Sequence, residues 1–550
     1  MLMLRNLRKT ALVLAVAGAM GLTGAAQAGN SLTTVSRATP IAGGDAIHGA
    51  LSLSHPIHVT IAMKLRNPSQ LAAYNAQPHH PISPAQLAAD HLPTKAQAQA
   101  VAAFLKNAGF TNVNISRNRM LVSADGKAAA AARAFNTSFA QVRTHDGRDG
   151  FANTADIRIP ATFRDSVQAV LGLQDVHKAH TFAVRAQAGG TAALGGHDPV
   201  EFASIYGASG LNPASSVDVA VWGWGSMEPT LGDLAQFESD NSLAPTSTNV
   251  VCSDYGGYNS GITRTDDPTC ANVDEGSIEW DIDSQDIVGM SGGVNSLTFY
   301  AAYGGYNTSI TNSLNAIVDP PEGIPLASVV NASFGECERF EDSGQGGDGS
   351  AQADDALFQI AQAQGQTFTV STGDHGADEC GDGGKNSASY PASSPYVVAV
   401  SGTTLSATSS SYIRETVWTS AGGSPSSFES APSWQSPLTY GAYKGSRGPD
   451  VALDANPNTG AIVYTSADGG YTQWGGTSLA APLFAGAWAR LIASGAVDPM
   501  TLAGQQLYGF PAAYFHDVRS GNNHGYVARA GWDWATGRGS LNLAHFSAGD

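Results

Sequence analysis

The 550 residues have room for two or more domains, and their net charge of −18 is unevenly distributed. Residues 1–189 contain 18 Lys and Arg against 8 Asp and Glu, whereas residues 190–550 contain 10 against 38. The acidic second part excludes binding of nucleic acid or of an anionic membrane surface. Two interpretations of this division stay open: solubility of an exported protein, or docking of a basic segment on an acidic domain.

Residues 1–28 have the pattern of a signal peptide. Three basic residues between positions 5 and 9 precede an apolar stretch at 11–22, and Ala26-Gln27-Ala28 has the small residues of a cleavage site. The apolar stretches elsewhere in the sequence are too short to predict a membrane span. We therefore expect an exported protein, extracellular or periplasmic, without a membrane partner.

Residues 29–184 predict a small α+β domain. Apolar residues at 58–63 and 120–124 are typical of strands, and the patterns at 94–109 and 128–135 are typical of helices. Residues 185–197 follow, rich in Ala and Gly, and predict a flexible linker that is open to cleavage.

From residue 198 to 550, short apolar strands alternate with helices, which predicts a doubly wound parallel sheet of the α/β class. Catalytic groups in such sheets lie at the carboxyl ends of strands. Strands are predicted at 217–222, 296–303, 327–334, 367–370 and 397–400, and helices at 274–290, 309–318 and 354–364.

Four cysteines agree with export into an oxidising compartment: Cys252, Cys270, Cys337 and Cys380. Their spacing fits no zinc-binding pattern. Three pairings are possible, and we favour Cys252–Cys270 with Cys337–Cys380 because these bonds close loops of modest size.

Residues 475–482 read Gly-Gly-Thr-Ser-Leu-Ala-Ala-Pro and predict a nucleophilic Ser478 at the start of a buried helix. The glycines permit a tight approach, and the backbone N–H groups of a helix N-terminus favour an oxyanion. Such a serine needs a base, usually a histidine oriented by a carboxylate. Past the linker, His375 is the only serious candidate histidine.

A pair of carboxylates offers another base. Glu279 and Asp283 are four residues apart and share one face of a predicted helix. Between roughly pH 3 and 5, one shared proton would relieve their repulsion and raise the apparent pKa of the pair. The pair could then accept the serine proton in acid, where histidine is charged. A solvated acidic helix face explains the same spacing.

Asp374 follows an apolar strand and a Gly turn, at the predicted active edge of the sheet. When protonated, its carboxyl could donate a hydrogen bond to a developing oxyanion. An aspartate that merely stabilises the turn is the alternative.

With these residues in place, the sequence resembles the sedolisin (serine-carboxyl peptidase) family from the pro-region to near the C-terminus. Further motif matches lie at 330–335, 390–397 and 449–454, with Phe334 where many members have Trp. The family's serine, its general base, the partner of that base and its oxyanion acid fall on Ser478, Glu279, Asp283 and Asp374.

The resemblance implies a subtilisin-like α/β catalytic domain preceded by a ferredoxin-like α+β pro-domain. It also implies an acid-acting endopeptidase that hydrolyses proteins and peptides through an acyl-enzyme on Ser478, with residues 333–335 beside the substrate strand. Residues 29–184 would be an activation pro-domain that inhibits its own enzyme and is removed by cleavage near 185–197. The +10 segment would then dock on the −28 domain at neutral pH and separate in acid.

Residues 517–533 place two carboxylates in Gly-rich turns, a combination that suits calcium, although the spacing is not that of an EF-hand. The resemblance implies one structural Ca²⁺ here. Its ligands would be Asp517, Val518, Arg529, Gly531 and Asp533. Arg529 stands where many members have Gly, an exchange that a backbone carbonyl ligand tolerates.

Three other functions remain open. A Ser-His-Asp protease would use His375. A pepsin-like protease has its only hint in Asp-Ser-Gly at 342–344, which lacks apolar flanks and a second copy. A non-catalytic, calcium-stabilised secreted binding protein fits the Gly- and Ser-rich composition. The sequence does not indicate an obligate oligomer, so we expect a monomer.

Overall fold

The computed structural model describes residues 31–78, 80–186, 195–253, 262–264, 270 and 277–547. The predicted signal peptide and most of the predicted linker lie outside these residues. The first domain is built on an antiparallel sheet covered on one face by two helices, Lys95–Ala108 and Ala128–Ala134. Its strands follow the order Thr111–Ile115, Leu121–Lys127, Pro56–Met63 and Val167–Leu171. This βαββαβ arrangement is the ferredoxin-like order.

Local signals in the sequence explain the longer of these helices. Thr94 and Gln97 form a capping box at its N-terminus, and Gly109 ends it in the left-handed conformation at φ 95°. Smaller elements surround the sheet: the helices Pro68–Asn75 and Pro84–Asp90, the strand pair Leu32–Ser36 with Ile157–Pro160, and the three strands Ala46–Ala50, Phe139–Arg143 and Asp149–Asn153.

The second domain contains a mainly parallel sheet with helices on both faces, as predicted. Its central strands Asp218–Trp224 and Ser296–Ala302 are buried along almost their whole length because both faces of the sheet are covered. Within the described residues the order is Ile262–Arg264, Thr248–Ser253, Ser296–Ala302, Asp218–Trp224, Val329–Ala332, Thr367–Ser371, Val398–Thr408 and Ser411–Val417, and Val451–Asp454 also pairs with Val398–Thr408. The strands Ile262–Arg264 and Ser411–Val417 run antiparallel to their neighbours.

In the part of the second domain that the structure describes, seven helices accompany this sheet: Glu201–Ile205, Glu228–Asp240, Ser277–Ser291, Asn307–Val318, Ser350–Ala363, Thr477–Ala493 and Ala503–Gly509. The two that carry the candidate nucleophile and base, Thr477–Ala493 and Ser277–Ser291, pack against each other. Outside the main sheet, Ala461–Thr465 pairs with Gly470–Gly475, Phe334–Cys337 with Ser389–Tyr390, and Phe515–His516 with Ser540–Leu541.

One predicted strand is wrong in its length. Residues 327–334 do not form a single strand, because Val329–Ala332 ends at the carboxyl edge of the main sheet and Phe334–Cys337 begins a separate pairing. Ser333 lies at the break, and its hydroxyl donates a hydrogen bond to Asp283.

The two domains are in direct contact. The strand Val167–Leu171 packs on the helix Ser350–Ala363, and Asn118 donates a hydrogen bond to the side chain of Asn315 at 2.8 Å. Arg117 forms an ion pair with Asp319 at 2.5 Å. The contact therefore combines apolar packing with polar pairing between a basic and an acidic domain.

Both favoured disulfides, Cys252–Cys270 and Cys337–Cys380, are confirmed. Cys252 lies in the strand Thr248–Ser253, and Cys337 ends the strand Phe334–Cys337. Among the described residues, none of the helices has the length and apolar character needed to cross a membrane.

Candidate active site

Ser478 lies in the first turn of the helix Thr477–Ala493, directly after the strand Gly470–Gly475 and the single residue Gly476. Gly476 has φ 98°, and a Cβ here would lie 1.8 Å from the carbonyl oxygen of Phe182. Only glycine therefore fits. The Ser478 side chain is buried, and its Oγ lies 3.3 Å from the Ser333 carbonyl oxygen.

The Ser478 hydroxyl lies close enough to Glu279 to lower the pKa of that carboxyl group, although its hydrogen bond goes to the Ser333 carbonyl. Glu279 and Asp283, on the helix Ser277–Ser291, are 2% and 0% exposed, so a solvated acidic face is excluded. Burial raises the pKa of Glu279 well above its usual value, and the charge of Asp283 raises it further, whereas the nearby Ser478 hydroxyl lowers it. The arrangement is a serine beside a pair of carboxyl groups that hold protons more strongly than usual.

Asp283 is oriented by groups that the sequence did not reveal. Its Oδ1 accepts a hydrogen bond from Ser333 Oγ at 2.5 Å, and the Asn331 amide donates to the same Ser333 oxygen at 2.9 Å. Burial raises the pKa of Asp283, and these polar neighbours lower it. In the sequence, only their position within the 330–335 motif could have indicated that Asn331 and Ser333 belong to the site.

Asp374 lies at the end of the strand Thr367–Ser371, on the other side of Ser478. Its Oδ1 accepts hydrogen bonds from the Thr477 backbone N–H and hydroxyl, both at 2.8 Å. Its buried Oδ2 has no hydrogen-bond partner among the described residues. Burial raises the pKa of Asp374 well above its usual value, although the Thr477 bonds lower it. A protonated Oδ2 is therefore available as a donor beside the serine.

His375 and Asp342 are occupied elsewhere. The His375 ring is 63% exposed and lies 3.4 Å from Glu379, a contact that raises the pKa of His375. No hydrogen bond joins His375 to Ser478 in the described part of the chain. Asp342 caps a local turn by accepting from the Gly344 N–H at 3.1 Å, and Gln352 donates to the same carboxylate. His375 therefore does not lie where a Ser-His-Asp protease would need its base, and Asp342 does not lie where a pepsin-like protease would need its catalytic aspartate.

Two more carboxyl groups of the helix Ser277–Ser291 are fully buried, Asp281 and Asp286. Burial and the charge of Asp233 raise the pKa of Asp281 to about 8. Burial raises the pKa of Asp286 well above its usual value. The sequence pattern did not distinguish Asp281 and Asp286 from solvent-exposed acidic residues, because a helix that is buried on all sides has no separate polar face.

The candidate calcium residues meet at one loop. Asp517 accepts hydrogen bonds from the Gly531 N–H at 3.1 Å, and Asp533 accepts from the Arg529 N–H at 2.9 Å. Within the described residues, no group of three or more His, Cys, Asp and Glu side chains is arranged to hold a metal ion. A cation here would therefore need backbone carbonyls beside the two carboxylates, which is a donor set that calcium accepts.

A segment of the first domain runs through the cleft. We call residues 177–186 the pro-segment tail. Its strand His180–Thr181 pairs antiparallel with Phe334–Cys337, and Val184–Arg185 pairs antiparallel with Gly470–Gly475. Between these pairs the Ala183 N–H donates to Glu279 Oε2 at 2.8 Å. The tail therefore lies where a substrate strand is expected.

Comparison with family models separates the same two parts of the chain. Residues 46–176 match the pro-kumamolisin activation domain, and residues 274–503 match the subtilase family. The chain is 39% identical to sedolisin of Pseudomonas sp. strain 101 over 547 residues, covering 90% of this chain and 88% of that protein.

A second relative is xanthomonalisin of Xanthomonas sp. strain T-22, 38% identical over 95% of this chain and 68% of that protein. Among solved structures, Pseudomonas sedolisin, a serine-carboxyl proteinase in complex with pseudo-iodotyrostatin, superposes with a TM-score of 0.57 at 39% identity. That match covers 65% of this chain and 98% of the solved chain. The chain therefore belongs to the sedolisin family and is a serine-type peptidase with a subtilisin-like domain preceded by an activation domain.

Proposed function

We propose that this protein is a secreted endopeptidase that works in acid, with Ser478 as nucleophile and Glu279 as general base. The observation that carries the proposal is the placement of the buried Ser478 hydroxyl beside the buried carboxyl group of Glu279, which in turn lies next to Asp283. A base that shares a proton with a second carboxyl group remains functional at low pH, where a histidine is charged.

In this proposal Glu279 accepts the hydroxyl proton as Ser478 Oγ attacks the peptide carbonyl carbon. The Ser478 N–H and the protonated Asp374 Oδ2 stabilise the oxyanion that forms. Glu279 then donates its proton to the leaving amine, and water hydrolyses the acyl-enzyme. Asp283, held by Ser333, acts through Glu279 as a positioning residue.

We also propose that the protein is made as a zymogen with an activation domain at 29–184, a linker at 185–197 and the peptidase at 198–550. The pro-segment tail supports this, because a substrate cannot enter the cleft while the tail is paired on both sides. Charge contributes to the docking through Arg117 with Asp319 and Arg185 with Asp468, the latter at 3.1 Å. Two exposed ion pairs contribute little by themselves.

Export is supported by the two disulfides, which form in oxidising compartments, and by the pattern of residues 1–28. We therefore place the enzyme outside the cytoplasm, in the medium or the periplasm, acting as a monomer on proteins and peptides.

Hydrolysis of an unfolded protein at about pH 3–4 is the test of this function. We expect purified wild-type protein to produce new amino termini, and the Ser478→Ala variant to produce none. Activity that survives in Ser478→Ala, or that occurs only at neutral pH, would overturn the proposal.

One structural calcium ion is a further part of the proposal. Asp517 and Asp533 would supply carboxylate oxygens, and Val518, Arg529 and Gly531 backbone carbonyls. The side chain of Val518 is apolar and buried, so only its backbone carbonyl oxygen could bind a cation. The Asp517 carboxylate also accepts from Arg519 Nε at 2.7 Å, and a bound cation would compete with that contact. The ion would hold the C-terminal loops together, away from the bond-breaking step.

Removal of calcium is expected to lower the Tm of the Ser478→Ala precursor by about 5 °C, because the ion binds only the folded chain. The measurement is a thermal scan in excess calcium and in EGTA. In Asp533→Asn the difference between the two scans should disappear, whereas the exposed control Asp498→Asn should keep it. Equal Tm values for the calcium-loaded and EGTA-treated precursor would contradict the site.

A further inference from the structure

The pro-segment tail brings one peptide bond, between Phe182 and Ala183, to the reacting groups. On its N-terminal side Thr181 pairs with Phe334, and on its C-terminal side Val184 pairs with Gly475. Both walls of the cleft therefore hold the chain on either side of this bond. Such two-sided pairing fixes the bond in position, as a bound substrate requires.

Both ends of this bond have the partners that hydrolysis needs. The Ala183 nitrogen, which would become the leaving amine, donates to Glu279 Oε2 at 2.8 Å. The Phe182 carbonyl oxygen and Asp374 Oδ2 both approach the α-carbon of Gly476: a Cβ built there would lie 1.8 Å from the first and 2.7 Å from the second. The carbonyl therefore faces the proposed oxyanion site, beside the N-terminus of the Ser478 helix.

The Phe182 side chain is held as a specificity group. It is 2% exposed, and its ring packs edge-on against His180 with 4.9 Å between ring centroids. Gly335 lies beside the tip of this ring: a Cβ there would be 3.3 Å from the ring, and 2.1 Å from the Ser389 hydroxyl oxygen. A buried ring of this size contributes much of the binding energy of such a strand.

We infer that the bond between Phe182 and Ala183 is the first one the precursor cleaves, within its own chain, and that the enzyme prefers an aromatic residue before the cleaved bond. This inference rests on the proposed function of Ser478 and Glu279. It sets the first cut upstream of the 185–197 zone that the sequence predicts. Residues after the cut then stay on the enzyme until they are trimmed.

The step balances without any further reactant except water. Ser478 Oγ bonds to the Phe182 carbonyl carbon and gives its proton to Glu279. The bond from Phe182 to Ala183 breaks, and Glu279 returns the proton to the Ala183 nitrogen. Water then releases Phe182 as a free carboxylate and restores the Ser478 hydroxyl.

The test is a time course of the full-length precursor after a shift from pH 7 to pH 4, with intact-mass analysis and N-terminal sequencing. We expect the first new N-terminus to be Ala183, formed at a rate independent of protein concentration. Ala183→Pro removes the N–H that contacts Glu279 and should slow the first cut at least 100-fold. The matched control Ala188→Pro, in the predicted linker, should keep the wild-type rate.

A second measurement tests the aromatic preference on the active enzyme. A nine-residue peptide with the sequence of residues 178–186 should be cleaved between its Phe and Ala, and the same peptide with Gly in place of Phe about 10–200-fold more slowly in kcat/KM. An active enzyme whose first cut lies within 185–197, or that cleaves both peptides equally, overturns this inference alone. A protein inactive on every substrate overturns the proposed function.

Discussion

Glu279→Gln is expected to slow self-cleavage of the precursor at pH 4 by about 10⁴-fold or more, because an amide cannot accept the proton of Ser478. The substitution keeps the size of the side chain and one carbonyl oxygen, so the fold should persist. The measurement is the rate at which the full-length band disappears after the shift to acid, followed by circular dichroism to confirm folding.

His375→Ala is the matched control, since His375 is the histidine that a conventional serine protease would need. It is expected to retain the wild-type rate within about threefold, because the ring is largely exposed and pairs with Glu379. An inactive His375→Ala beside an active Glu279→Gln would reverse the assignment of the base.

The free energy of unfolding of the Ser478→Ala precursor is expected to fall as the pH rises from 3.8 to about 8. The pKa of Asp281 increases from 3.8 to about 8 on folding, because the carboxyl group is buried beside Asp233. Its contribution to stability is complete below pH 3.8 and is lost as the pH rises towards 8. Over that range the free energy of unfolding falls by about 1.4 kcal/mol per pH unit for each proton that the folded chain binds and the unfolded chain does not.

Urea unfolding at several pH values measures this dependence. Asp281→Asn, which is neutral at every pH, should flatten the slope and stabilise the protein at pH 7 by about 4 kcal/mol, and Asp286→Asn should act in the same direction. The exposed control Glu322→Gln should leave the slope unchanged. A slope that the two buried variants do not alter would show that neither carboxyl group keeps its proton in the folded protein.

In the proposed mechanism, catalysis and stability depend on acid for the same physical reason. Burial raises the pKa of Glu279 and Asp374 at the site, and of Asp286 in the helix beneath it. At the site, the proposed mechanism uses one such proton in the Glu279–Asp283 pair that acts as the base, and another on Asp374, which donates to the oxyanion. In the core they make neutral side chains that can be buried. A histidine base would be positively charged under the same conditions.

The sequence by itself determined the local geometry of the site. Helical periodicity places Glu279 and Asp283 on one face, and the Gly-Gly-Thr-Ser segment places Ser478 at a helix start. Asp374 follows from a strand that ends in a glycine turn. The α/β class and the α+β first domain were also predicted, because strands and helices leave short-range patterns. The two disulfides were favoured for the modest size of the loops they close, and the ferredoxin-like order was implied by the family resemblance.

Only the tertiary structure decided what surrounds these groups. Ser333, 50 residues from Asp283 in sequence, orients that carboxyl group, and Thr477, 103 residues from Asp374, orients the other. The burial of Asp281 and the pairing of the pro-segment tail in the cleft also depend on packing between distant segments. Such contacts leave no periodicity in one chain, because side-chain spacing records the neighbours within an element and not those across the fold.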